Sequence, residues 1–169
     1  DIVSFAENMD GDYTFGLCLG DIVGWDHSIY PEYHEIMGNS VFDYRYVIGN
    51  HDMTNYGRSF ETSMKDYEDF FGPAWYSFNV GKVHYVMLNN NFFIGRDWYY
   101  IGYITERQLR WLEKDLSYVP AGSTVIVGMH IPTTLSKEDR ERFIFEQMLD
   151  DTANKKGLYS MLAPYKSLI

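Results

Sequence analysis

The chain has 169 residues, which suits a single domain of ordinary size, and 46% hydrophobic with 22% charged residues is close to the globular average. This composition excludes a disordered or fibrous chain. With 14 basic and 24 acidic residues the formal net charge is −10, which repels nucleic acid and anionic lipid and suits the binding of cations. A single cysteine, Cys18, excludes an internal disulfide framework, and we expect it to be a small buried hydrophobe.

Targeting signals are not visible in the sequence. No apolar run approaches the roughly 20 residues of a membrane-spanning helix. The first residues show no basic leader before an apolar stretch, so no signal peptide is expected. A processed chain also lacks its signal, so the compartment stays open and an extracytoplasmic location is one alternative.

Three short apolar runs share one pattern, in which a glycine and then a polar side chain follow the run. They are Phe15–Leu19 before Gly20-Asp21, Tyr46–Ile48 before Gly49-Asn50, and Val125–Val127 before Gly128-Met129-His130. Such runs predict buried strands, and ligands bind at the carboxyl ends of strands in open α/β sheets. We therefore expect Asp21, Asn50 and His130 to converge at one rim, where their oxygen and nitrogen atoms suit a divalent metal. The alternative is that Asp21 and Asn50 are turn or cap residues and that His130 is structural.

The other elements follow from periodicity and capping. Four aromatic or methionine side chains from Phe60 to Phe71 lie on one face of a predicted helix, which Gly72-Pro73 ends. Further helices are predicted after Thr105, where a capping box precedes a stripe of three leucines, over 137–149 after Ser136, and over 158–163. Alternation on both sides of Gly81-Lys82 predicts an antiparallel hairpin. These elements together predict a mixed α/β layered fold with two sheets.

The tetrapeptide Gly49-Asn50-His51-Asp52 is the most specific signal in the sequence. It directly follows a predicted buried strand. His51 beside Asp52 offers an imidazole whose proton a carboxylate could fix, as general acid catalysis requires.

Leu19-Gly20-Asp21, Gly49-Asn50-His51-Asp52 and Gly128-Met129-His130, in this order, resemble three consecutive blocks of the calcineurin-like metallophosphoesterase superfamily. The segments 71–78, 81–84 and 108–112 also resemble stretches common among bacterial members. The resemblance covers nearly the whole chain, so residues 1–169 are interpreted as part of one metallophosphoesterase domain. It implies a four-layer α/β/β/α sandwich of two mixed sheets.

The resemblance also implies a mechanism. Asp21 would bridge two divalent metal ions (Mn, Zn, Fe or Mg), and Asn50 and His130 would bind the second ion. His51 would face the leaving group or the phosphoryl oxygens without ligating, and Asp52 would orient it. A phosphomonoester or phosphodiester would then be hydrolysed by metal-bound hydroxide at the binuclear site.

This sequence departs from the family pattern at three places. The first block, Asp-x-His, and the last block, Gly-His-x-His, are absent, although 165–169 is similar to the strand that leads into the last one. Gly24 stands where many members have an aspartate. The resemblance therefore implies a domain truncated at both ends, and we expect a polypeptide of only these 169 residues to be inactive.

Two other function classes stay open from the sequence. One is a non-catalytic, degenerate member of the fold that binds a ligand or partner. The other is a carbohydrate-recognition domain, suggested by the 18% aromatic content. The segment 89–103, rich in aromatic residues, is either a surface hairpin or a wall of the substrate cleft. His34 and His84 are expected to be structural, and Asp26 to cap the helix near Tyr30.

Overall fold

A computed structural model describes residues 15–54, 59–93, 100–133 and 154–169. Within these ranges the chain is a mixed α/β fold with helices and three open sheets, where the sequence predicted two. The helix predicted over 137–149 and the segment around Gly95-Arg96-Asp97 lie outside the described residues. None of the helices in the described ranges is long and apolar enough to cross a membrane.

The first sheet is a parallel pair of strands that leads into two of the polar motifs. Strand β1 (Phe15–Cys18) pairs with β2 (Asp43–Tyr46), and a short 3-10 helix (His27–Ile29) and helix α1 (Tyr30–Gly38) connect them. Strand β2 begins and ends earlier in the chain than predicted. Val47 and Ile48 follow it as buried residues, and Val47 N–H still donates to the Cys18 carbonyl at 2.8 Å.

The helix predicted from Phe60 to Phe71 is divided into two. Helices α2 (Phe60–Ser63) and α3 (Lys65–Phe71) meet at Met64, whose N–H bonds to the Glu61 carbonyl three residues back. The predicted apolar face is kept, since Met64 and Tyr67 are buried in a cluster with Ile48, Met53 and Ala74. Helix α3 ends where Gly72 adopts a φ of 86°, which glycine tolerates best.

The second sheet has four strands in the order β3-β4-β7-β8. Strands β3 (Tyr76–Val80) and β4 (Val83–Met87) form the predicted hairpin, and β7 (Thr124–Gly128) runs parallel to both β4 and β8 (Lys166–Leu168). Helices α4 (Glu106–Leu116) and α5 (Lys155–Leu162) bury their leucines with this sheet. Thr105 caps α4, and the predicted stripe is buried: Leu109, Leu112 and Leu116.

The third sheet is the hairpin of β5 (Asn91–Phe93) and β6 (Tyr100–Gly102). The predicted hairpin is therefore present, but its first part is not at the surface. Three consecutive residues at its start are fully buried: Asn89, Asn90 and Asn91. Two of them bond to the chain segments that follow strands β2 and β7.

Candidate metal and catalytic site

The loop after β1 has a strained backbone at the candidate ligand. Gly20 has a φ of 99°, and Asp21 has a φ of 51°, the one positive φ of a non-glycine residue within the described ranges. A residue with a Cβ pays a penalty in this conformation, so the surrounding structure must enforce it. Strain of this kind concentrates where a side chain has to be aimed at a particular point.

Two glycines allow this loop to pack against its neighbours. A Cβ on Gly49 would lie 2.1 Å from the backbone nitrogen of Asp21 and 2.3 Å from its Oδ1. A Cβ on Gly20 would lie 2.5 Å from Nδ1 of His130. The glycine before each polar residue is therefore required for close approach, which brings the three motifs into contact.

Asp21, Asn50 and His130 converge. Nε2 of His130 lies 2.9 Å from Oδ1 of Asn50 and 3.4 Å from Oδ1 of Asp21. Asp21 and Asn50 follow the paired strands β1 and β2, whereas His130 follows β7 of the second sheet. The expectation that the three residues share one rim of a sheet is thus wrong for His130, because the loops of two different sheets meet here.

The hydrogen bonds of His130 indicate which of its ring nitrogens carries a proton. Nδ1 lies 2.8 Å from the carbonyl oxygen of Leu19, and because a carbonyl only accepts, Nδ1 carries a proton. In the neutral ring the lone pair of Nε2 then faces the oxygen atoms of Asn50 and Asp21. Three acceptors directed at one another repel unless a cation or a proton lies among them.

The donor set fits a divalent metal ion. Two ligand atoms bonded to one ion at about 2.0–2.2 Å lie about 3.0–3.5 Å apart, close to the separations found around Nε2 of His130. Asn50 is buried and the Asp21 side chain is 37% exposed, so the cluster is open on one side. No group of three or more His, Cys, Asp or Glu side chains in the described ranges is arranged to hold a metal. The cluster at His130 contains only two side chains of these types, because its third member, Asn50, is an amide.

His51 is held next to this cluster by its backbone and its ring. Its N–H donates to Oδ1 of Asp21 at 3.0 Å, and its carbonyl accepts from Nε2 of His27 at 2.9 Å. Nδ1 of His27 lies 3.1 Å from a carboxylate oxygen of Asp66. The His51 ring stacks on Trp25 with 4.3 Å between ring centroids and a tilt of 32°.

Asp52 does not orient His51 through the hydrogen bonds of the described residues, which corrects the expectation from sequence. Its buried carboxylate accepts from the N–H groups of Ile22 (3.0 and 3.2 Å) and Gly49 (2.8 Å) and from the Tyr30 hydroxyl (3.2 Å). Asp52 thereby ties the loop after β1 to the loop after β2. Burial raises the pKa of this carboxyl, although the backbone donors oppose the shift.

Three consecutive asparagines form a scaffold that the sequence did not reveal. Asn90 exchanges hydrogen bonds with the backbone of Ile131, next to His130, at 2.6 and 3.1 Å. Nδ2 of Asn91 donates to the carbonyl of Ile48 at 2.8 Å, next to the Gly49 loop. This scaffold fixes the separation of the His130 and Asn50 loops. The only sequence signal is the run of three amides after a strand.

The remaining candidates have structural surroundings. His84 is buried between Asp115 (2.7 Å) and Asn79 (2.9 Å), and His34 lies on α1 with its ring 6.5 Å from that of Phe71. Asp26 caps the 3-10 helix by accepting from the N–H of Ser28. Cys18 is half-buried rather than buried, and desolvation raises the pKa of its thiol.

Comparison with known proteins adds no family assignment. No known protein-family profile and no curated protein sequence matches this chain.

Proposed function

We propose that the chain is part of a metal-dependent phosphoesterase that hydrolyses a phosphomonoester or a phosphodiester. The observation that supports this most is the convergence of Asp21, Asn50 and His130, with Nε2 of His130 close to an oxygen atom of each of the other two. The order and strand context of these residues resemble the calcineurin-like metallophosphoesterases. The four-layer α/β/β/α arrangement belongs to the same proposal, with the β1–β2 pair and the four-stranded sheet as parts of the two inner layers.

Each residue of the site has a proposed role. Asp21, Asn50 and His130 would hold divalent metal, and Asp21 would be the ligand shared by both ions of a binuclear site. When bound, such ions neutralise the phosphoryl oxygens and make water a nucleophile near neutral pH. His51 would donate a proton to the leaving-group oxygen, and its backbone bond to Asp21 keeps it beside the reacting centre. Asp52 would keep the two loops in register.

The rival is a module of the same fold that binds without catalysis. Metal binding alone does not separate the two, because both can keep Asp21, Asn50 and His130. Turnover that depends on His51 does separate them, since a binding module has no use for a proton donor at that position.

Calorimetric titration of the chain with Mn²⁺ and Zn²⁺ tests the metal site. Asn50→Ala and His130→Ala should weaken binding by more than about tenfold, whereas His34→Ala, on an exposed face of α1, should leave it unchanged. Hydrolysis of p-nitrophenyl phosphate, bis(p-nitrophenyl) phosphate and an alkyl phosphate ester is then measured on the full-length gene product, with any flanking coding sequence included. Turnover of the alkyl ester, whose leaving group needs protonation, is the reaction expected to depend on His51. Metal affinity that is unchanged in both Asn50→Ala and His130→Ala would contradict the proposed site.

A further inference from the structure

The imidazole of His51 packs against an aromatic ring. Within the described ranges no side chain is hydrogen-bonded to this ring, and the neighbouring Asp52 is engaged with Ile22, Gly49 and Tyr30. The contact that the ring does make is with Trp25, at 4.3 Å between centroids. Among the residues that the structure describes, neither ring nitrogen of His51 has a hydrogen-bond partner.

The loop that carries Trp25 is fixed to the His51 loop on both sides. Three residues before Trp25, the N–H of Ile22 donates to Asp52, and two residues after it, His27 bonds to the carbonyl of His51. Asp66 in turn holds the other nitrogen of His27. These hydrogen bonds hold the backbone on both sides of Trp25 next to the His51 loop, and none of them involves the indole or the His51 imidazole.

The backbone of His51 is fixed as well, at its N–H by Asp21 and at its carbonyl by His27. Only the two side-chain torsions remain to direct the imidazole. A flat indole packed at a 32° tilt restricts both torsions, and His51 is half-buried rather than enclosed.

We propose that Trp25 is the positioning residue for His51, and that its indole holds the imidazole in the direction of the leaving group. This inference rests on the proposed function. The local sequence is consistent with this role for Trp25. Gly24 stands where many metallophosphoesterases have an aspartate, so this position supplies no carboxylate that could orient His51. A misplacement of about 1 Å in a proton donor can cost about 10²-fold in rate.

Two kinds of measurement test it. The first uses the 169-residue chain without metal: the imidazole C–H signals of His51, identified by their loss in His51→Gln, should lie upfield of free histidine because of the indole ring current. They should move to the free position in Trp25→Leu and stay upfield in Trp25→Phe, which keeps a flat aromatic face. Unchanged signals in Trp25→Leu would overturn the proposal.

The second measurement uses the full-length gene product and two esters of one phosphate. An alkyl ester needs protonation of its leaving group, whereas p-nitrophenolate leaves with little help. Trp25→Leu should lower kcat for the alkyl ester by about 10²-fold, change kcat for the p-nitrophenyl ester by less than about threefold, and recover in Trp25→Phe. The double variant with His51→Gln should be no slower than His51→Gln alone, because both changes remove the same proton transfer.

The possible outcomes separate the role of Trp25 from the proposed phosphoesterase function. Equal losses on both esters would show a general structural role and overturn the positioning of a proton donor by Trp25. Tyr118→Leu, at an exposed ring after α4, serves as the control and should change neither ratio nor signals. A gene product that hydrolyses neither ester with any divalent metal would refute the proposed function, while the ring-current measurement would still decide whether Trp25 orients His51.

Discussion

Asn90 is joined to Ile131 by a reciprocal pair of hydrogen bonds. Its Nδ2 donates to the Ile131 carbonyl at 2.6 Å, and its Oδ1 accepts from the Ile131 N–H at 3.1 Å. Both residues are buried. Because Ile131 directly follows His130, a carboxamide in the interior determines where a candidate metal ligand leaves its strand.

Asn90→Ala removes both of these bonds and leaves two buried backbone groups without a partner. We expect a loss of about 3 kcal/mol in the free energy of unfolding and a 10–100-fold weaker affinity for Mn²⁺ or Zn²⁺. Urea unfolding and calorimetric titration measure the two effects. Asn39→Ala, which removes an exposed bond to the Glu35 carbonyl at the end of α1, is the matched control. Unchanged metal affinity in a folded Asn90→Ala variant would show that Ile131 does not set the position of His130.

Gly49→Ala should disrupt the site by steric conflict alone. The added methyl group would lie 2.1 Å from the Asp21 nitrogen, which belongs to a backbone that cannot move without breaking the loop contacts. We expect a loss of about 3 kcal/mol or more and no measurable metal binding. Gly24→Ala adds the same methyl group to the same region where no atom lies within 4 Å, and its effect should stay within about 0.5 kcal/mol. Similar unfolding curves for both variants would contradict the close packing of Gly49 on Asp21.

His51→Ala separates catalysis from metal binding. The His51 ring is not among the atoms that converge on Nε2 of His130, so the metal affinity of the variant should stay within about threefold of the original chain. Loss of the proposed proton donor should lower kcat of the full-length gene product for an alkyl phosphate ester, whose leaving group needs protonation, by about 10²–10⁴-fold. Loss of metal instead, measured by the same titration, would make His51 a ligand and require a different site.

The sequence predicted the convergence of Asp21, Asn50 and His130 because the signals are local. An apolar run, a glycine and a polar residue lie within a few positions of each other. The expectation that the runs are buried strands is wrong for β1 and β2, in which no residue is fully buried. The contacts that hold the three motifs together span 41 residues between Asn90 and Ile131 and 43 residues between Asn91 and Ile48, and no local pattern encodes such a pairing.

The partners of Asp52 show a second limit. Adjacency in sequence suggested that it orients His51, but consecutive side chains in a turn point in different directions. Asp52 lies inside the fold on the amides of two loops, whereas the His51 ring lies against Trp25. The sequence also could not predict the division of the helix at Met64. The hydrophobic periodicity is the same on both sides of Met64, although the backbone there forms one tighter turn.

His84 tests whether a buried histidine outside the site is structural. Its Nε2 lies 2.7 Å from Oδ2 of Asp115, whose other oxygen accepts from the Ser77 hydroxyl at 2.7 Å, and Nδ1 lies 2.9 Å from Oδ1 of Asn79. This cluster joins both strands of the hairpin to α4. His84→Ala would remove a partner from a carboxylate that is only 18% exposed, so we expect a loss of about 2 kcal/mol in the free energy of unfolding. Ser77→Ala, which removes one neutral donor from the same carboxylate, should lower the free energy of unfolding by about half as much.

Metal affinity should be unchanged in both variants. A His84→Ala chain that unfolds normally but no longer binds Mn²⁺ or Zn²⁺ would make His84 a ligand. That result would contradict the site built on Asp21, Asn50 and His130.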